Sequence, residues 1–277
     1  MNQLQNKPKF SLAIQSDGYK KLINNTLGDP KRASKFIAAI SSAVATNASL
    51  QQCDAGSILS GALLGEALNL SPSPQLGQYY LVPFKDKAQF QLGYKGYIQL
   101  AIRSGQYKDI DVIEVREGEY KGRDKITGKH QFEFIEDEVE REEKPIIGYM
   151  AYFEHLNGFY KNLYWSKEKM QKHALEYSQA YASDVKKGTT YSFWSKDFNG
   201  MAFKTMLRQL ISKWGIMSID MQEALTKDMS VVKEDGTYDY IDNQPIVSVP
   251  TEEKINTEVA ETTEKITEVK QVNINEL

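Results

Sequence analysis

Lys95, Gln99 and Arg103 recur every four residues in FQLGYKGYIQLAIRSGQYKDIDV (residues 90–112), a spacing that stacks them on one face of a helix. Tyr94, Tyr97, Ile98 and Ala101 share a second stripe, and Gly93 and Gly96 stand at the helix start. Such a pattern can be a solvated basic face above a packed apolar stripe. It can also hold phosphates, with glycine admitting a ligand to the backbone and helix-start amides suiting an anion. The stretch FWSKDFNGMAFKTMLRQLISKWG (193–215) repeats the combination. Phe203, Met206, Leu207, Leu210, Ile211 and Trp214 form a broad apolar stripe. On the opposite side Lys204 and Arg208 stack one turn apart, with Gly200 a turn before and Thr205 and Ser212 flanking. Charge for phosphates, hydroxyl donors and a bare glycine on one face suit a nucleic-acid backbone. Lys196 extends that face, whereas Lys213 points elsewhere on the helical wheel. A third basic cluster, Lys121, Arg123, Lys125 and Lys129, falls in a Gly- and Lys-rich loop.

Catalytic chemistry finds less to work with. GRDKITGKH (122–130) has five residues between its glycines where a nucleotide-binding loop has four, and His130 where such a loop needs Ser or Thr for Mg²⁺. His130, His155 and His173 are far apart and form no paired metal-ligand motif, Cys53 has no CxxC neighbour, and no GxSxG elbow occurs. Asp109 and Asp111, at strand spacing, could face one side together as part of a two-metal nuclease site, or simply face solvent. The expectation is a binding protein with no catalytic or metal-ligating residues. A metal-dependent nuclease and a passive strand-coating protein are the alternatives.

The chain of 277 residues, 41% hydrophobic and 26% charged, has the composition of a soluble globular protein. It contains no run of about 18 apolar residues, so no membrane span is expected, and its start does not resemble a secretory signal. A single cysteine fits a reducing cytosol. The net charge of -3 hides an asymmetry: from Ser230 onward 11 Asp and Glu face 4 Lys, a balance of -7 that leaves the body at +4. The body could hold a polyanion; the tail could not.

The elements that must position these residues read as α+β with an antiparallel sheet. Helical spacing runs through 31–47 (Phe36, Ile37, Ile40, Val44) and from Asp54 to Leu68, stopping before SPSP. QYYLVPF and AQFQL around a charged KDK form a hairpin, followed by the basic helix that Gly105 closes. DIDVIEV and HQFEFIE alternate as strands, EDEVEREEKP is a solvated connection, and residues 146–165 form a second hairpin turning at Asn157-Gly158. Helices resume near Lys167 and run from Ser192 to Trp214. The predicted organisation is a folded, basic body over 1–229 and a disordered, acidic Thr/Glu/Lys-rich tail over 230–277. Within the tail, Ile255, Val259, Ile266 and Val269 have the spacing of a transient helix.

LGYKGYIQLAIRSGQYKDIDVIEVREGE together with DFNGMAFKTMLRQLISKW resembles the RecT family of phage-encoded single-strand annealing recombinases, over about Ser49 to Leu225. The resemblance implies a protein that binds single-stranded DNA, pairs it with a complementary strand through an annealed duplex intermediate, and needs neither ATP nor another cofactor, Mg²⁺ only modulating DNA binding. It implies a homo-oligomer, as a ring or helical filament, acting in the bacterial host cytoplasm with a phage exonuclease. It also implies that the acidic tail addresses the host single-stranded DNA-binding protein. The implied fold, similar to strand-annealing proteins, is a curved antiparallel sheet packed on a long helix, with N-terminal helices and DNA in a basic groove. In that groove Lys95, Arg103, Lys196, Lys204 and Arg208 neutralise phosphates, while Gly93, Gly96 and Gly200 admit the backbone.

Overall fold

The computed structural model describes residues 10–233 and the backbone of 238–240. Helices α1 (Phe10–Ala13), α2 (Asp17–Leu27) and α3 (Pro30–Ala45) come first. The Asp29 carboxylate caps α3 by accepting the Lys31 amide, and Pro30 supplies a preset φ at the first helical position. One stripe of α3, Ala33, Phe36, Ile40 and Val44, is buried. Helix α4 (Ala55–Ala67), capped by Asp54, is buried almost all round. Strand β1 (Tyr79–Phe84) packs so closely on α4 that a side chain on Gly65 would meet the Tyr79 ring at 2.3 Å.

Strand β1 pairs antiparallel with β2 (Lys87–Leu92), from Tyr79 opposite Leu92 to Phe84 opposite Lys87. Helix α5 (Tyr94–Arg103) follows, and Gly105 at φ 66° turns the chain into β3 (Tyr107–Arg116). A small hairpin of β4 (Tyr120–Arg123) and β5 (His130–Phe132) comes next, then α6 (Glu138–Glu143). Strands β6 (Ile146–His155) and β7 (Tyr160–Ser166) turn at Asn157-Gly158, where Gly158 takes φ 82°. The chain continues through α7 (Lys167–Tyr177), α8 (Gln179–Lys187), α9 (Phe193–Lys196), α10 (Phe198–Trp214) and α11 (Ile219–Lys227) to β8 (Ser230–Val232) and β9 (Tyr238–Tyr240).

The α+β reading and both hairpins agree with the sequence. The strands, however, divide into three small antiparallel sheets, β1-β2-β8-β9, β3-β6-β7 and β4-β5. Helix α10 lies against β3, β6, β7 and α5. It is tied there by Asn199, which accepts from the Tyr149 hydroxyl (2.7 Å) and donates to Glu114 (2.6 Å).

Three expectations are corrected. The helix read over 192–214 is broken at Asp197, whose φ of -145° ends α9 and whose carboxylate caps α10. The acidic connection contains α6, begun by Asp137 accepting the amides of Val139 and Glu140. The folded body does not stop at residue 229: Ser230, Val231 and Val232 are buried, and β8 pairs with β2. The remaining tail, 241–277 with its transient-helix residues, lies outside the described residues.

Candidate nucleic-acid interface

The predicted basic face of α10 is not a solvent face. Lys204 is 5% exposed, and its ammonium donates to Asp228 Oδ1 at 2.8 Å. The Arg208 guanidinium donates to Asp228 Oδ2 at 2.7 Å, the Tyr97 hydroxyl donates to the same oxygen at 3.0 Å, and the Leu92 amide donates to Oδ1 at 2.8 Å. Burial alone would raise the Asp228 carboxyl, but Lys204 and Arg208 outweigh it and hold it below the usual carboxylate range. Burial pushes the Lys204 ammonium down despite the carboxylate beside it. Two cations share one anion, so the cluster keeps one surplus positive charge. Its only part near solvent is Arg208, whose side chain is 37% exposed. Asp228 was not anticipated from the sequence.

The other α10 residues are also engaged in the fold. Thr205 is buried and its hydroxyl donates to the Met201 carbonyl (2.9 Å). The Gly200 amide donates to Asp197 Oδ1 (2.9 Å), and a side chain at Gly200 would lie 2.3 Å from that capping carboxylate. Gly93 and Gly96 admit the protein's own chain rather than a ligand: added Cβ atoms would stand 2.1 Å from the carbonyl oxygens of Gly77 and Gln78. Arg103 caps the end of α4, donating to the carbonyls of Leu68 (2.5 Å) and Asn69 (3.2 Å).

The β4-β5 loop is a turn closed by Asp124, which accepts the amides of Ile126 and Thr127 and the Thr127 hydroxyl. A strand follows it, so no helix start faces a phosphate. In this loop Arg123 donates to the Gly128 carbonyl (3.0 Å), Lys121 pairs with Glu133 (3.0 Å) and Lys125 is exposed. Lys129 stands 5.6 Å from the Tyr160 ring. Asp109 and Asp111 are exposed on β3, and Asp109 accepts the Tyr152 hydroxyl (2.9 Å). Among the described residues no three His, Cys, Asp or Glu side chains converge as metal ligands.

Lys95 and Lys196 are also exposed; Lys196 lines a cavity, and Lys95 is linked to the edge of that cavity through Tyr80 and Phe193. The cavity, of about 520 Å³, lies between β1-β2 and the segment from α8 to α10. Gln89, Gln91, Lys187, Tyr191, Phe193 and Lys196 are among its lining residues. Gln89 and Gln91 are hydrogen-bonded to each other, and Gln89 also donates to the Met229 carbonyl, so the floor is ordered. Tyr191 is 80% exposed, and the Phe193 ring lies 6.2 Å from Tyr80. Next to Tyr80 is Lys95: both its side chain and the Tyr80 hydroxyl come within 3.4 Å of the position a Gly77 Cβ would take. Neither Lys95 nor Lys196 has an ion pair among the described residues; each stands 5.9 Å from a ring, Tyr94 and Phe193 respectively. Two carboxylates lie by this run: Asp184 lines the cavity and accepts from Thr189, Ser192 and Ser195, and Asp197 is close enough to raise the Tyr80 hydroxyl, though burial is the larger cause. Unpaired cations interleaved with aromatic faces can hold a polyanion and stack its bases.

The sequence model of the RecT family matches residues 34–247. Over 229 residues the chain is 39% identical to the uncharacterized protein YqaK of Bacillus subtilis, covering 83% of this chain and 73% of that protein. It is 28% identical over 217 residues to Protein RecT of Escherichia coli, covering 70% of this chain and 74% of that protein. Among the described residues no helix is long and apolar enough to cross a membrane.

Proposed function

This chain belongs to the RecT family, and from that premise we propose that it binds single-stranded DNA by its backbone and anneals it to a complementary strand in phage recombination. The observation that carries the site is the cavity lined by Lys187, Tyr191, Phe193 and Lys196, with Tyr80 beside Phe193 and Lys95 beside Tyr80. Lysines at the rim take phosphates, the exposed part of Arg208 adds charge, and stacking on aromatic faces leaves base edges free to pair. Lys204 serves as the counter-ion of Asp228 rather than as a phosphate ligand. The chemistry is non-catalytic and uses no ATP, because pairing itself supplies the free energy; Mg²⁺ only screens phosphates.

On this reading the β3-β6-β7 sheet and α10 play the part of the curved sheet and long helix of strand-annealing folds. The protein works as a ring or filament in the bacterial host cytoplasm. A phage exonuclease supplies its single strands, and the acidic tail addresses the host single-stranded DNA-binding protein.

The test is the rate at which complementary oligonucleotides pair without ATP. An annealer accelerates pairing over the spontaneous rate, whereas a passive coat slows it, and slower pairing would overturn the proposal. A Lys95→Ala/Lys196→Ala variant is expected to bind single strands more weakly, with a salt slope flatter by about 0.7 for each phosphate no longer neutralised. Unchanged affinity and slope would remove the cavity from the DNA path.

A further inference from the structure

A second group of cations lies away from that cavity, on β7, α7 and the far end of α10. Lys161 and Lys213 both stand over the Trp214 indole, at 4.9 and 4.7 Å from its centroid. Lys169 stands 4.2 Å from the Trp165 centroid. None of these three lysines has an ion pair with a carboxylate among the described residues. Lys161, Lys169 and Arg123 also act together on His130, whose ring burial already pushes its pKa below the ordinary value. Like charges gathered without a counter-ion repel one another, and ring faces offset only part of that cost.

None of the three lysines lines the cavity between β1-β2 and α8–α10. Lys196 precedes α10 and Lys213 ends it, so the two sites are separated by most of a 17-residue helix, about 25 Å of rise. Annealing requires two phosphate backbones to be held by one machine, and a single cavity accounts for one of them.

We infer that the strip formed by Lys161, Lys169 and Lys213 over Trp165 and Trp214 receives the phosphate backbone of the incoming complementary strand while the first strand occupies the cavity. The inference rests on the annealing reading above and adds a second site to it. Lysines seated on indole rings suit this role, because the ring orients the ammonium without neutralising it and the charge remains available to a polyanion.

The experiment uses the full chain with a labelled oligonucleotide and its complement. In the Lys161→Gln/Lys169→Gln/Lys213→Gln variant, affinity for the first strand should stay within twofold of the parent. The rate of pairing when the complement is added to the protein–strand complex should fall at least tenfold, with a weaker dependence on salt. Lys169 and Lys213 are exposed, so the Lys169→Gln/Lys213→Gln pair provides the same comparison if loss of Lys161 disturbs folding. Unchanged pairing would overturn the inference. So would first-strand affinity falling in step with pairing, which would make the strip part of the first-strand path. The Lys95→Ala/Lys196→Ala variant separates the two claims: if it keeps first-strand binding while the glutamine variants slow pairing, the cavity assignment fails and the strip stands.

Discussion

A buried lysine beside a carboxylate supports a fold only while both charges are present. Lys204→Ala leaves Asp228, 1% exposed, with Arg208 as its one remaining cation. Removing a partner from a buried pair costs about 3–5 kcal/mol, so this variant should lose stability in chemical denaturation before DNA binding can be assessed. Lys196→Ala, at an exposed position, should keep its unfolding midpoint and lose affinity. Histidines give a second residue-scale prediction. His155 is 1% exposed and neither ring nitrogen has a hydrogen-bond partner among the described residues. Burial lowers its pKa from the ordinary 6.5. Above 6.5 folded and unfolded chains both hold it neutral, and its full contribution is present. Below 6.5 the unfolded chain takes a proton that the folded chain refuses, so stability falls with pH until the folded pKa is reached, at up to about 1.4 kcal/mol per pH unit. Denaturation midpoints measured from pH 7.5 to 5 should show that decline, and His155→Phe should flatten it.

At the scale of elements, the tightest junction is where α5 meets the loop before β1. Gly93→Ala or Gly96→Ala pushes a methyl against the backbone carbonyl of Gly77 or Gln78. Backbone cannot swing aside as a side chain can, and overpacking costs about 2–3 kcal/mol. Each variant should unfold at a clearly lower denaturant concentration. The same junction explains what could be read in advance. Turns declare themselves locally, so Asn157-Gly158 and the β1-β2 connection were legible. The caps at Asp54 and Asp197 are equally local, but a periodic apolar stripe across 193–214 hid the second. Lys204 was misplaced because a helical wheel assumes one wet face. Helix α10 has α5 on one side, β3, β6 and β7 on another, and Asp228 reaching in to the remaining cations. Asp228 carried no signal at all, since its partners Leu92 and Tyr97 lie 136 and 131 residues away. Lys95 and Lys196 stand out in the sequence by charge; the tyrosines Tyr80 and Tyr191 and the phenylalanine Phe193 near them do not, because their neighbours come from other elements.

For the whole molecule the position of β8 sets how far the chain can be shortened. Truncation after Tyr240 keeps β8 and β9 and should leave both stability and annealing of naked oligonucleotides intact; loss of either would mean that the acidic segment belongs to the core machinery. Truncation after Met229 removes Val231 and Val232, 2% and 5% exposed, and bares the edge of β2. Burial of two valines is worth on the order of 3 kcal/mol, so the shorter chain should melt earlier and aggregate through the uncovered strand. The Asp228 cluster has a further consequence during synthesis. The chain emerges from the ribosome N-terminal end first, and Lys204 and Arg208 emerge before the carboxylate that neutralises them. Until residue 228 is free of the exit tunnel, α5 and α10 can pack only by enclosing positive charge with no anion, a cost that keeps the nascent centre open. Closure of this centre thereby waits for the synthesis of Asp228, and a ribosome stalled before Asp228 would carry a chain unable to complete its core.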